Sequence, residues 1–277
     1  MLTDYHVHLR PDDLDAEAGD YFTAANVDRY LAAAEEGGIE ELGVSEHVYR
    51  FQQALDVWDH PFWIENARDD LDAYRDFVRT TPLRLGLETD YVPGREDRIA
   101  NLLDARDFDY VIGSVHFVRD AAVDLEGDDW EHVWGRGDSA DKVWQRYFET
   151  LAEAARSGLY DIMAHPDLVK VWGSARPLPE RDLRYYYEPA VEAMLDAGVA
   201  MEVSTAGLRK PVGELYPAPA LLDMAIDACL PIALSSDAHL PGQIGHGYEE
   251  TVARLRDAGI TEISVFAGRE RRMEPLG

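Results

Sequence analysis

The chain has one cysteine, Cys229, among its 277 residues. A single thiol cannot close an intramolecular disulfide, so the fold must stand without one, and the count points to a reducing compartment. Cys229 lies next to an apolar stretch before Pro231 and reads as core filler. Positive charge is scarce as well. Lys and Arg number 26 against 54 Asp and Glu, so 26 − 54 gives a formal charge of −28; the only lysines are Lys142, Lys170 and Lys210. Such acidity argues against sequence-independent binding to nucleic acid or anionic lipid, both of which need a cationic surface. No apolar run approaches the roughly 18 residues of a membrane span. Met1–Arg10 carries an aspartate, two histidines and an arginine where a secretory leader would be apolar. The expectation is a soluble, cytoplasmic protein whose partner is a small molecule.

Three motifs are also missing. There is no G-x-G-x-x-G and no G-x-x-x-x-G-K-[ST], so nothing marks a dinucleotide or P-loop site. There is no G-x-S-x-G elbow, and Cys229 is not near the C-terminal end of a strand, which leaves little support for Ser or Cys nucleophiles. Repeats, low-complexity tracts and Gly/Ser/Pro linkers are absent, and the whole span 1–277 reads as a single domain.

What is present is alternation. Hydrophobic residues make up 46% of the chain, enough for a sizeable core. Short β-branched runs read as strands over Leu2–His8, Ile39–Ser45, Leu83–Thr89, Tyr110–His116, Asp161–His165, Val199–Thr205, Pro231–Ser236 and Thr261–Phe266. Amphipathic helices fall between them, at Asn26–Glu36, Trp63–Arg79, Glu96–Arg106, Asp141–Arg156, Arg181–Ala197, Pro219–Ala228 and Glu249–Ala258. Several are followed by a capping glycine, Gly158, Gly198 or Gly259. Strand–helix alternation of this kind implies βαβ units and a parallel sheet, and seven or eight units suit a closed α/β barrel.

The histidines then fall into place. Six of the nine, at positions 6, 8, 47, 116, 165 and 239, stand at or just past the C-terminal ends of candidate strands. Glu88 stands at the end of a further candidate strand, and Asp237 just past the one that leads to His239. A lone histidine after a strand is usually a hydrogen-bonded loop residue, but six on one end of a barrel form a constellation. His6 and His8, two apart in a strand, share a face and can meet one metal. Imidazoles with a few carboxylates suit Zn, Mn or Fe. The set exceeds the about four ligands of one zinc, so more than one ion is implied, with Glu88 or Asp237 as a bridge. Paired ions clamp the oxygens of an in-line displacement at phosphorus and generate hydroxide at neutral pH. His60, His132 and His246 read as surface or loop residues.

The ordered set of motifs resembles the PHP (polymerase and histidinol phosphatase) superfamily. It comprises D-x-H-x-H, S-E-H, G-L-E-T-D-Y, G-S-V-H-F, A-H-P-D and S-S-D-A-H, and runs roughly from Asp4 to His239. Ser204–Pro211 with Tyr216–Pro219 is similar to the stand-alone histidinol-phosphatase branch. The resemblance implies a distorted (β/α)7 TIM-like barrel, with Thr261–Phe266 as a terminal addition. It implies two or three divalent ions held by His6, His8, His47, Glu88, His116, His165, Asp237 and His239, and hydrolysis of L-histidinol phosphate in histidine biosynthesis. Arg209 matches the family's phosphate-binding arginine; Lys210 and Lys170 are further candidates for phosphate, and His239 or Asp237 for protonating the leaving alkoxide. Many members carry another histidine shortly after H-x-H. Here the loop reads Leu9–Asp15 without one, and Asp12, Asp13 or Asp15 is available in its place. The segment Val118–Gly137, with Trp130 and Trp134, reads as a lid, a substrate wall or a packed loop. Rival readings are a phosphatase for another small ester such as a nucleotide and a non-catalytic metal-binding module.

Overall fold

The computed structural model describes residues 1–13, 15–125 and 138–277. Trp130, Trp134 and His132 lie outside the described residues.

Seven parallel strands form one sheet in the order β1-β2-β3-β4-β7-β8-β9. They are β1 (Thr3–Asp4), β2 (Glu41–Val44), β3 (Arg84–Asp90), β4 (Tyr110–Ser114), β7 (Ile162–Met163), β8 (Ala200–Ser204) and β9 (Ile232–Ser235). Between β4 and β7 stands a small antiparallel pair, β5 (Phe117–Val118) and β6 (Ala121–Ala122). The seam between the first and last barrel strands closes through a parallel bridge from Val7 to Ala238. The His8 N–H donates to the Ala238 carbonyl at 2.8 Å, and the Ser236 N–H donates to Asp4 Oδ1 at 2.9 Å. The architecture is therefore a nearly closed, seven-stranded α/β barrel, as the alternation predicts.

Helices follow their sequence signals closely. Ala24–Glu36 starts at Thr23, whose side chain accepts the Asn26 N–H, and stops at Gly37 with Gly38 at φ 68°. Gly198 ends Arg184–Ala197 in the left-handed conformation. The expected helix Trp63–Arg79 is two pieces, Pro61–Asn66 and Leu71–Val78. The break places Asp69 against Arg10, and Asp70 recaps the second piece by accepting the Ala73 N–H. Cys229 corrects another expectation. It is exposed, not core, and occupies a left-handed turn at φ 57° just past a helix, a position that usually takes glycine.

The barrel's lower interior is filled by Tyr5, Tyr110, Ile112, Ile162 and the small Ala164, Ala200 and Ala233. Tyr110 is accommodated by glycine on β3 and on β2 beyond it, since a Cβ on Gly43 or Gly86 would lie 2.4 or 2.3 Å from its side chain. Thr261–Phe266 does form a strand, β10 (Glu262–Ala267), but outside the barrel. It pairs antiparallel with β11 (Glu270–Pro275). Val265 and Phe266 of this hairpin join the lower-interior cluster, and the Phe266 N–H donates to the Tyr5 hydroxyl at 3.3 Å. The opposite end of the strands is left for chemistry.

Candidate active site

Each functional side chain arrives on its own strand end, and the barrel's curvature turns these ends toward one another. Glu88, near the end of β3 and 1% exposed, is the hub. Its Oε2 lies 3.2 Å from His6 Nε2 and 3.6 Å from His8 Nε2. Asp237 Oδ1 approaches the same two nitrogens at 3.7 and 3.4 Å. The other Glu88 oxygen lies 3.3 Å from His116 Nε2 and 3.2 Å from His165 Nε2. His47 Nδ1 also contacts Glu88. His8 stacks between His47 and His239, with ring centroids 4.1 and 4.2 Å away. All eight residues singled out in the sequence therefore meet at one place.

The arrangement is unusual for a core. His6 Nε2, His8 Nε2, Glu88 Oε2 and Asp237 Oδ1 are buried without a hydrogen-bond partner among the described residues. Orphaned buried polar atoms are costly, and four aimed at one point fit a cation. Tetrahedral zinc, with bonds of about 2.0–2.2 Å, spaces its ligand atoms about 3.3–3.6 Å apart. The four nitrogen–oxygen edges of this set, 3.2–3.7 Å, lie close to that spacing. Glu88, His116 and His165 offer a second set, and Glu88 is placed to bridge the two. His47 and His239 offer a third, their Nε2 atoms 3.4 Å apart. Asp12, in the loop that lacks the extra histidine, faces them: its Oδ2 lies 2.9 Å from His239 Nε2 and its Oδ1 3.6 Å from His47 Nε2. Asp13 and Asp15 instead bond to each other, the Asp15 N–H donating to Asp13 Oδ1 at 2.9 Å.

Electrostatics suit cation binding. Burial opposes ionisation of Glu88, yet the surrounding imidazoles of His47, His6 and His116 hold its carboxyl well below the usual range. Asp237 is held low in the same way by His6, His8 and His239. Burial, reinforced by the neighbouring His47 and His239, pushes His8 well down, which keeps its nitrogens free to coordinate. Two site residues, His165 at φ 22° and Asp237 at φ 49°, adopt positive φ without being glycine, and such strain collects at functional sites.

Sequence reading missed the groups that orient these rings. Glu202 Oε1 lies 2.8 Å from His6 Nδ1, and its Oε2 accepts the His165 N–H at 2.6 Å. Asp90 Oδ1 lies 2.7 Å from His116 Nδ1. With Glu88 it outweighs burial and pushes that imidazole up to about 10. A carboxylate bonded to Nδ1 fixes which nitrogen faces a metal. The signal for Glu202 was available: a carboxylate in the middle of an otherwise apolar strand needs buried partners.

The phosphate candidates separate. Lys210 is exposed and lines the cavity above the histidines. Arg209 is half-buried beneath; its Nη2 donates to the Ser236 and Asp237 carbonyls at 2.8 and 3.0 Å, while Nη1 is buried without a partner among the described residues. Lys170 is buried, its ammonium committed to Asp167 at 3.0 Å, Glu214 at 2.8 Å and the Leu215 carbonyl at 2.8 Å. The cavity itself has a volume of about 300 Å3 and opens over His47, His116, His165, Asp237 and His239.

The PHP domain profile matches residues 18–206, about two thirds of the sequence. The chain belongs to the PHP family. A protein named "Probable histidinol-phosphatase" from Deinococcus radiodurans is 32% identical over 251 residues, covering 89% of this chain and 91% of that protein. The histidinol-phosphatase of Bacillus subtilis is 30% identical over 184 residues, covering 62% of this chain and 69% of its own. In three dimensions the PHP protein superposes on histidinol phosphate phosphatase from Lactococcus lactis, a structure complexed with Zn, L-histidinol and phosphate. The TM-score is 0.74 at 20% identity, with 98% of each chain covered. That likeness carries the barrel. No helix among the described residues is long and apolar enough to cross a membrane.

Proposed function

We propose that this PHP protein is a metal-dependent phosphomonoesterase that hydrolyses L-histidinol phosphate to L-histidinol and phosphate in histidine biosynthesis. One observation carries the reading. Unpaired nitrogen and oxygen atoms of buried histidines and carboxylates converge on Glu88 at the floor of a cavity sized for a small molecule. The names of the two curated relatives select the ester.

His6, His8, Glu88 and Asp237 would hold one divalent ion, Glu88, His116 and His165 a second, and His47, His239 and Asp12 a third. Such ions, Zn, Mn or Fe, supply Lewis-acid charge at the phosphoryl oxygens and an acidified water for attack. The chain's own groups do the rest. Lys210 at the mouth meets the phosphate as a point charge, while Arg209, which does not line the cavity, fixes the loop that carries Asp237 through two carbonyls. His239, its Nδ1 3.6 Å from Asp237 Oδ1, lines the cavity where the leaving oxygen must depart, and with only the first two ions bound it is free to return the proton, Asp237 being held as a ligand. Lys170 secures the loop after β7 and is not a phosphate ligand in this reading. All of this belongs to one domain spanning 1–277. The charge of −28 supports a small-molecule partner over nucleic acid.

The test is phosphate release from L-histidinol phosphate by purified protein supplied with Mn or Zn. Turnover no greater than that of a His6→Ala, His8→Ala double variant overturns the proposal.

A further inference from the structure

The metal-facing residues account for how an ester is cleaved, not for which ester is chosen. The wall of the cavity holds a carboxylate that the chemistry above does not use. After His116 the chain leaves the barrel as β5, turns, and returns as β6, so that the Val123 N–H donates back to the His116 carbonyl at 2.8 Å. Trp172 pins the same residue from the other side, its indole N–H donating to the Val123 carbonyl at 2.9 Å. Asp124 follows directly. It is half-buried, lines the cavity, and makes no hydrogen bond or ion pair among the described residues. The other acids of this wall differ. Asp12 is committed to Arg50 and His239, whereas Asp13 and Glu65 are exposed. The same cavity is also lined by apolar and aromatic side chains, among them Phe62, Phe117, Leu125, Leu168 and Val171.

We propose that Asp124 determines specificity by binding the ammonium group of the leaving alcohol, while the Phe62–Phe117 wall takes its flat ring. The inference rests on the phosphatase reading and adds what selects the substrate. An unpaired carboxylate beside an anion-binding centre is unfavourable unless it meets a cation, and it repels any ester whose leaving group is anionic. Its depth fits the amine. In an O-phosphorylated 2-amino alcohol the nitrogen is two carbons from the ester oxygen, so it must lie close to the metal-facing histidines. Asp124 is tied to that level through the Val123–His116 backbone bond. A more distant heteroaromatic ring then reaches the aromatic wall. The carboxylate–ammonium contact is a charge-assisted hydrogen bond, stronger than a neutral one.

The experiment compares wild type, Asp124→Asn and Asp124→Glu on L-histidinol phosphate and on its analogue lacking the amine, 3-(imidazol-4-yl)propyl phosphate, with metal content measured for each. For Asp124→Asn, kcat/KM on L-histidinol phosphate should fall about 10–100-fold. Turnover of the amine-free analogue should stay within about twofold, and Asp124→Glu should fall between wild type and Asp124→Asn on the amine-bearing ester. Equal losses on both esters, or no loss on either, overturn the proposal. If the wild type does not turn over L-histidinol phosphate, the phosphatase assignment for that ester fails separately. The same variants compared on ethanolamine phosphate and ethyl phosphate then decide on Asp124: a selective loss on the amine supports the assignment, and its absence ends it.

Discussion

Glu202 holds His6 by its Nδ1 at 2.8 Å and, with its second oxygen, accepts the backbone N–H of His165 at 2.6 Å. One buried carboxylate thus orients candidate ligands of two different ions. Gln at this position keeps an acceptor for only one of the two donors. Glu202→Gln should weaken metal affinity about 10–100-fold, the usual effect of removing such a partner. Titration of the metal-free protein with Zn or Mn measures it. Wild-type affinity in the variant would mean that the Glu202 contact only packs the core.

Glu88 touches more of the site than any other side chain. Glu88→Gln removes the charge that His6, His8, His116 and His165 share, so it should lower the bound metal by at least one ion per chain and abolish phosphate release. Elemental analysis with activity in parallel checks both. Full metal content in an inactive variant would separate Glu88 from coordination.

Metal removal should also be visible in stability. An ion that binds only the folded chain stabilises it by about 2.7 kcal/mol at one hundred times its dissociation constant. For a chain of 277 residues that is roughly 4–5 °C of melting temperature. Differential scanning calorimetry before and after chelation, with recovery on re-addition of Zn, reads the shift. Coincident melts would argue against a cage built from these residues.

The barrel floor offers a control far from the chemistry. Phe266→Ala empties part of the cluster beneath the strands and should cost about 3–5 kcal/mol, the range for a buried phenylalanine. Because the site lies at the opposite strand ends, kcat of the folded fraction should not change. A loss of kcat at temperatures well below unfolding would show that the hairpin does more than plug the barrel.

Gly86→Ala should be at least as damaging for its size, since the added methyl would stand 2.3 Å from the Tyr110 ring. Overpacking of this kind costs about 1–3 kcal/mol. Urea denaturation of the pair Gly86→Ala and Gly43→Ala, both facing the same tyrosine, should give a smaller combined loss than the sum of the two. Strict additivity would show that the two strands do not share one constraint.

The candidate ligands were legible in the sequence because barrel geometry converts a one-dimensional rule, a histidine or acid at a strand's end, into spatial convergence. Glu202 escaped that rule because it lies inside β8, between Met201 and Val203, and reaches the site from below. Lys170 was misleading for a related reason. Its partner Asp167 is three residues away and visible, but Glu214 and the Leu215 carbonyl come from beyond β8, and only the fold shows that all three donors are taken. The last strand illustrates the limit of propensity. Thr261–Phe266 looks like a barrel strand, whereas its partner, Glu270–Pro275, is too polar to announce itself. Gly268 and Arg269, both at positive φ, make the tight turn that joins them into a hairpin.

The seam of the barrel has a consequence for how the protein is made. Val7 pairs with Ala238, and Asp4 with Ser236, across more than 230 residues of chain. A ribosome adding about 5–20 residues per second delivers Asp237 roughly 10–50 s after His6. Through that interval the nascent chain carries an H-x-H that still lacks Asp237 and His239, although Glu88 has already emerged. Earlier strands can pair as they appear, but the seam waits for the last of them. The metal centre is therefore assembled near the end of synthesis.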